Sequence, residues 1–110
     1  MTFISEKERI FGGLFGVAAG DAVGLTFEGM MPGPRYNLSV TGGGQFSLPA
    51  GAVTDDTMMT LSLLETYLSC GTFDREAFLL RMRSIVLQNP VTFGRTTKTL
   101  CVLLVQGCVS

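Results

Sequence analysis

Apolar and polar positions recur along the chain with a helical period, and the residues between these runs mark where four helices begin and end. Ser5 followed three residues later by Glu8 is a capping box, with Ile4 placed to staple onto the first turn. Phe11, Leu14, Phe15, Ala18, Ala22 and Leu25 then fall on one face. Beside them runs a second stripe, Gly12, Gly16, Gly20 and Gly24. Each glycine costs about 1 kcal/mol against alanine inside a helix. The stripe therefore predicts close approach of another backbone and a first helix central to the fold.

Between Gly29 and Ala52 the period is lost. Pro32, Gly33, Pro34, Gly42-Gly43-Gly44 and Pro49-Ala50-Gly51 break it repeatedly, which predicts an ordered loop with a functional task. A second helix opens at Thr54-Asp55-Asp56-Thr57, continues through Met58, Leu61, Leu64 and Leu68, and meets a fitting C′ residue at Gly71. A third has Asp74 as its N-cap and an apolar face of Ala77, Phe78, Met82, Ile85 and Val86, ending at Asn89-Pro90. A fourth pattern begins near Thr96, carries Leu100, Leu103 and Leu104, and is still apolar at Val109. No β period and no repeat interrupts these helices. The expected fold class is all-α, with residues 1–110 forming part of a single domain. The fourth helix has neither a basic last turn nor a polar tail, so the chain is expected to belong to a larger bundle or to need a partner.

Composition sharpens this picture. Hydrophobic residues make up 46% and charged residues only 15%, against roughly 25% charged in an average globular chain. Much of the surface is therefore expected to be covered. The net charge is −1 and no run of Lys or Arg occurs, which excludes a phosphate-tracking nucleic-acid surface. Histidine is absent, so the chain itself has no Ser-His-Asp triad, imidazole base or histidine zinc site. Cys70, Cys101 and Cys108 lack CxxC spacing and read as reduced thiols. The polar Ser5-Glu6-Lys7-Glu8 start is unlike a secretory leader. The apolar stretch Ile10 to Phe27 contains Asp21 and five glycines, too many interruptions for a membrane span. A cytoplasmic protein is expected.

Oxygen donors concentrate at Thr54-Asp55-Asp56-Thr57, where a loop enters a helix. Ordinary capping explains them, with Thr54 as cap and the two Asp complementing the helix dipole. A Mg²⁺ or Mn²⁺ site explains them equally well in kind, because adjacent carboxylates and a hydroxyl offer hard ligands from one rigid turn. Asp21, inside an apolar glycine-rich helix, needs partners. It either holds a neighbouring helix N-terminus or orients metal ligands. Gly42-Gly43-Gly44 lacks the Lys and Ser/Thr of a P-loop. Gly94-Arg95-Thr96-Thr97 reads as a helix cap or as a phosphate-binding N-terminus.

Two segments together carry a family resemblance. Gly12 to Gly24 (GGLFGVAAGDAVG) followed by Glu28 resembles the opening helix of the ADP-ribosylglycohydrolases, and Ala52 to Met59 (AVTDDTMM) resembles their metal-binding turn. The resemblance implies a compact helical fold with a binuclear Mg²⁺ centre, Mn²⁺ being possible in its place. It also implies hydrolysis of the bond between ADP-ribose and a modified side chain or another acceptor, so the expected partner is an ADP-ribosylated protein or a small ADP-ribosyl compound. By match, Thr54, Asp55 and Asp56 would be metal ligands. Glu28 would be the catalytic acidic residue, and Gly94 and Arg95 would bind substrate, although Arg-Thr-Thr is a loose match. The family's remaining ligands lie in an Asp-x-Asp-Thr motif, and this chain has no acidic residue after Glu76. Either a second chain is expected to supply them, or the chain is a fragment expected to be inactive alone. The alternatives are a non-catalytic relative with a crystallin-like or binding role and an unrelated helical interaction module.

Overall fold

The structure, a computed structural model, describes residues 2–30 and 41–105, the side chains of 102, 104 and 105 excepted. Among these residues lie four helices: α1 (Glu6–Gly24), α2 (Asp55–Cys70), α3 (Arg75–Gln88) and α4 (Arg95–Val105). No strand forms among the described residues, and a lone bridge pairs Gly43 with Leu48. The all-α expectation holds. The chain divides into two compact units, Met1–Thr57 and Met58–Ser110, the boundary falling just after the first turn of α2. No described helix is long and apolar enough to cross a membrane.

In the first unit, α1 begins as the sequence predicts. The Ser5 hydroxyl accepts from Glu8 N–H at 3.2 Å, and Glu8 Oε2 accepts from Ser5 N–H at 2.8 Å. Glu8 is held below the usual carboxylate range by these Ser5 hydrogen bonds. The staple from Ile4 is not made, because that side chain is 67% exposed. Nor is α1 central within the described residues: Phe11 and Phe15 face solvent and stack on one another at 6.3 Å. Full burial comes only in its last turn and just beyond, at Ala22 and Leu25. The glycine stripe also departs from expectation. A Cβ placed at Gly12, Gly16, Gly20 or Gly24 meets no atom within 4 Å, so no backbone approaches there among the described residues.

Residues 41–52 form a compact turn built around a short 3₁₀ element at Gly44–Phe46. The turn is tied to the end of α1: the Thr26 hydroxyl donates to Gly42 C=O at 3.0 Å. Gly44 has φ +70°, and a Cβ there would lie 2.5 Å from Leu25 C=O, so only glycine fits. The predicted ordered loop is therefore present from Thr41 onward. Its segment at Pro32, Gly33 and Pro34 lies outside the described residues, as do Val109 and Cys108 and the Leu104 side chain.

The second unit has an apolar core of Met82, Val86, Phe93 and Cys101, flanked by Met58, Phe78 and Ile85. It draws on the face predicted for α3 and on one turn of α4. Burial pushes the Cys101 thiol up, as expected of an inert core cysteine. The pattern predicted for α2 is partly inverted, since Leu61 and Leu68 are exposed while Ser62 and Thr66 are buried. The inversion costs little in hydrogen bonding. Ser62 and Thr66 hydroxyls donate to carbonyls one turn back, Met58 at 2.9 Å and Ser62 at 2.8 Å. Arg81 of α3 donates to Ser69 Oγ of α2 at 2.7 Å and pairs with Glu65 at 3.3 Å. Gly71 closes α2 as predicted, with φ +73° and its N–H on Tyr67 C=O.

Phe93 is 2% exposed within the core of the second unit, whereas Phe3 is 83% exposed. Phe93→Ala is expected to cost about 3–5 kcal/mol and Phe3→Ala less than about 0.5 kcal/mol, measured by urea unfolding.

Candidate active site

One carboxylate organises the entrance to α2. Asp21, near the end of α1, accepts from Thr54 N–H at 2.7 Å and from the Thr54 hydroxyl at 2.6 Å. It accepts also from the Thr57 hydroxyl at 2.6 Å and from Thr57 N–H at 3.3 Å. Two N–H groups at the start of α2, those of Thr54 and Thr57, are thus satisfied by a side chain from another helix. Of the two readings of Asp21, the one that holds a neighbouring helix N-terminus is the one observed. The hydroxyl of Thr54, the residue read from the sequence as the cap of α2, donates to Asp21. Burial opposes the charge on Asp21, but the hydrogen bonds from Thr54 and Thr57 outweigh it and hold the carboxyl below the usual aspartate value. An ionised Asp21 only accepts, so both threonine hydroxyls must point their protons at it. The Thr54 oxygen keeps its lone pairs for another partner.

Around this anchor the structure gathers further acidic residues. A cavity of about 370 Å³ is walled by Asp21, Glu28 and Asp56, with Leu25 and Phe27 as its apolar part and Gly20 and Gly24 on the α1 side. Glu28 sits just beyond α1, in the turn that follows it. Its carboxyl is pushed up by burial and by the charges of Asp55, Asp56 and Asp21. Asp55 lies against Thr54, whose Oγ1 is 3.2 Å from Asp55 Oδ1. The sequence-predicted Glu28, Thr54, Asp55 and Asp56 are therefore brought into one neighbourhood. Gly94 and Arg95 belong to the second unit, where both are exposed at the start of α4 and Gly94 C=O accepts from Lys98 N–H at 3.1 Å. That bond is the helix-start role that the sequence allowed for this segment.

Thr57 entered the sequence reading only as the last residue of the donor run, with no role of its own. Its signal was available: a threonine three positions after Thr54 places both hydroxyls on one side of the first turn. Leu25 and Phe27 gave no signal, because as apolar residues ending a helix they read only as core.

The donor set suits a hard divalent cation in kind, being all oxygen, with one hydroxyl already oriented by Asp21. In number it falls short. Among the described residues no three His, Cys, Asp or Glu side chains form a group able to hold a metal ion.

The ADP-ribosylglycohydrolase family model matches residues 4–109, and the chain belongs to that family. It is 50% identical over 68 residues to the ADP-ribosylarginine hydrolase Tri1 of Pseudomonas putida (strain GB-1), covering 61% of this chain and 18% of that protein. It is 37% identical over 107 residues to the ADP-ribosyl-[dinitrogen reductase] glycohydrolase of Rhodospirillum rubrum, covering 89% of this chain and 35% of that protein. The Tri1 hydrolase of Serratia proteamaculans (strain 568) is 45% identical over 74 residues, 64% of this chain and 19% of that protein. The chain thus spans between about a fifth and a third of the length of these curated relatives.

Removing the Asp21 charge leaves the Thr54 and Thr57 donors with a single acceptor oxygen. Asp21→Asn is expected to cost about 2–3 kcal/mol in urea unfolding. The same carboxylate sets an acid dependence. Its folded pKa lies below the ordinary value of 3.8, so its stabilisation is complete above that value and is lost as pH falls through the folded value. Glu28 acts in the opposite sense, since a raised carboxyl favours the folded state as pH falls toward 4.5. Urea midpoints measured from pH 7 to 2 are expected to fall steeply only below about 4 in the wild type. In Asp21→Asn that acid limb is expected to shrink.

Proposed function

We propose that the chain contributes the metal-binding turn and a catalytic carboxylate to a Mg²⁺-dependent hydrolase that removes ADP-ribose from a modified side chain or other acceptor. The observation that carries this reading is the convergence of Glu28, Thr54, Asp55 and Asp56 around the Asp21 anchor, in a chain of this family. The relatives named for ADP-ribosylarginine and for ADP-ribosyl-dinitrogen reductase favour a modified arginine or another protein side chain as the acceptor.

Thr54, Asp55 and Asp56 would hold part of a divalent-cation centre, binuclear and filled by Mg²⁺ or Mn²⁺. When bound, such ions neutralise the local negative charge, engage sugar hydroxyls and make a water molecule more acidic. The chain's own residues do the rest. Asp21 fixes the Thr54 oxygen and the first turn of α2, so the ligand geometry is set before any substrate arrives. Carboxylates around the cavity favour the positive charge that develops at the anomeric carbon as its bond to the acceptor breaks. Glu28, whose carboxyl is pushed up by burial and by the charges of Asp55, Asp56 and Asp21, is the candidate to exchange a proton with the reacting groups. In the overall hydrolysis the water oxygen joins the anomeric carbon, and its proton ends on the departing acceptor atom.

Gly94 and Arg95 are kept as candidate substrate-binding residues, their contribution being exposed N–H groups at a helix start and one cation. The remaining ligands would come from a further acidic segment on this or a second polypeptide. A second reading has an observation in its favour. The described donors are too few to hold an ion alone, which suits a non-catalytic relative or an inactive fragment with a binding role.

The test is release of free ADP-ribose from an ADP-ribosylarginine peptide with Mg²⁺, by the chain together with the segment that supplies the remaining ligands, with EDTA as control. Turnover abolished by EDTA and by Asp55→Ala is the expected result, and Glu28→Gln is expected to lower it by about 10²–10⁴-fold. Thermal stabilisation by Mg²⁺ should survive Glu28→Gln and disappear in the Asp55→Ala, Asp56→Ala double variant. Stabilisation without turnover would favour the non-catalytic relative, and no response to Mg²⁺ at all would remove the metal site.

A further inference from the structure

We propose that Thr26 and Gln45 are positioning residues for Glu28: the turn at 41–48 grips the chain on both sides of Glu28 and holds its carboxyl at the cavity beside Asp21 and Asp56. The proposal rests on the reading of Glu28 as the catalytic carboxyl. Its starting point is an electrostatic problem. Glu28 follows α1 in a turn, and the negative charges of Asp55, Asp56 and Asp21 all oppose its own. Like charges on a turn free to move would separate. Glu28 nevertheless lines the cavity together with Asp21 and Asp56. Something other than charge must hold it there.

The turn that carries Glu28 is closed locally. Met30 N–H donates to Phe27 C=O at 3.0 Å, and Gly29 takes the next position with φ +80°. These features shape the turn but do not fix it to the rest of the unit. Contacts from the 41–48 turn do. Before Glu28, the Thr26 hydroxyl donates to Gly42 C=O at 3.0 Å. Gly44 comes so near that a Cβ on it would lie 2.5 Å from Leu25 C=O and 3.0 Å from Thr26 C=O. After Glu28, the Gln45 side-chain amide lies against Gly29, where a Cβ would stand 2.8 Å from Gln45 Oε1. The gripping turn is closed on itself, with Gly43 N–H donating to Leu48 C=O at 2.6 Å. Neither Thr26 nor Gln45 lines the cavity, so both act on Glu28 through the backbone that bears it.

The test uses Thr26→Val, which keeps the branched shape and removes the donor, Thr26→Ser, which keeps the donor, and Gln45→Ala. Each is assayed for ADP-ribose release from the ADP-ribosylarginine peptide, by the chain together with the segment that supplies the remaining ligands. Thr26→Val and Gln45→Ala are expected to lower kcat by about 10–100-fold with KM unchanged. Thr26→Ser is expected to restore most of the loss at that position. In a Glu28→Gln background neither substitution is expected to lower turnover further, because the group they position is gone. Thermal stabilisation by Mg²⁺ is expected to persist in both, since the grip falls on the Glu28 turn and not on Thr54, Asp55 or Asp56. A further fall in the Glu28→Gln background, a lost response to Mg²⁺, or a raised KM in place of a lowered kcat would overturn the proposal. Should Thr26→Val fail to fold, Gln45→Ala, at an exposed position, decides the matter, and a wild-type kcat there would overturn it. Turnover lowered by Glu28→Gln but by neither variant would overturn the proposal and leave the active-site reading standing. A wild type that releases no ADP-ribose would overturn that reading, and this proposal with it.

Discussion

The carboxylate of Asp21 is the constraint on which the first unit depends. It lies near the end of one helix and takes the amide and hydroxyl protons of Thr54 and Thr57 at the start of the next. Hydrogen bonds to an ionised acceptor are roughly twice as strong as neutral ones, and here they fix two helix ends that are distant in sequence. That single junction decides where the Thr54 oxygen points and where Asp55 and Asp56 begin their turn. It also explains how a charge is accommodated inside an otherwise apolar, glycine-rich helix.

The same junction gathers negative charge. Asp21 is satisfied by its four donors, whereas the Glu28 carboxyl is raised by burial and by Asp55, Asp56 and Asp21. Clustered carboxylates without a compensating cation work against folding, and they do so most where one chemistry can relieve them: a divalent metal or a developing positive charge in a substrate. In the proposed function that tension is directed toward hydrolysis of an ADP-ribosyl bond.

Apolar surface remains uncovered in each of the two units. On α1, Phe11 and Phe15 face solvent. On α2 the leucines at 61 and 68 do so, while serine and threonine take the interior. This inversion is physically consistent, because the buried hydroxyls bond to carbonyls of their own helix. A low charged fraction in the sequence and these uncovered faces are one property seen at two levels.

The sequence by itself determined the helices and their ends. Ser5 and Glu8, Asp74, Gly71 and Asn89 act locally, through bonds to their own turns, and so they could be read without knowing what packs against what. It also marked Asp55 and Asp56, adjacent at a helix start, whereas Glu28 stood out only through the family resemblance. Tertiary structure alone decided which faces are inside. Periodicity placed leucines and the glycine stripe against partners, and it cannot distinguish an apolar face that is covered from one that is not, because both show the same period. Only the fold made the Thr54 and Thr57 hydroxyls donors to Asp21 and set Gly20 and Gly24 beside a cavity. Those outcomes depend on contacts between helices distant in sequence, which no local pattern encodes.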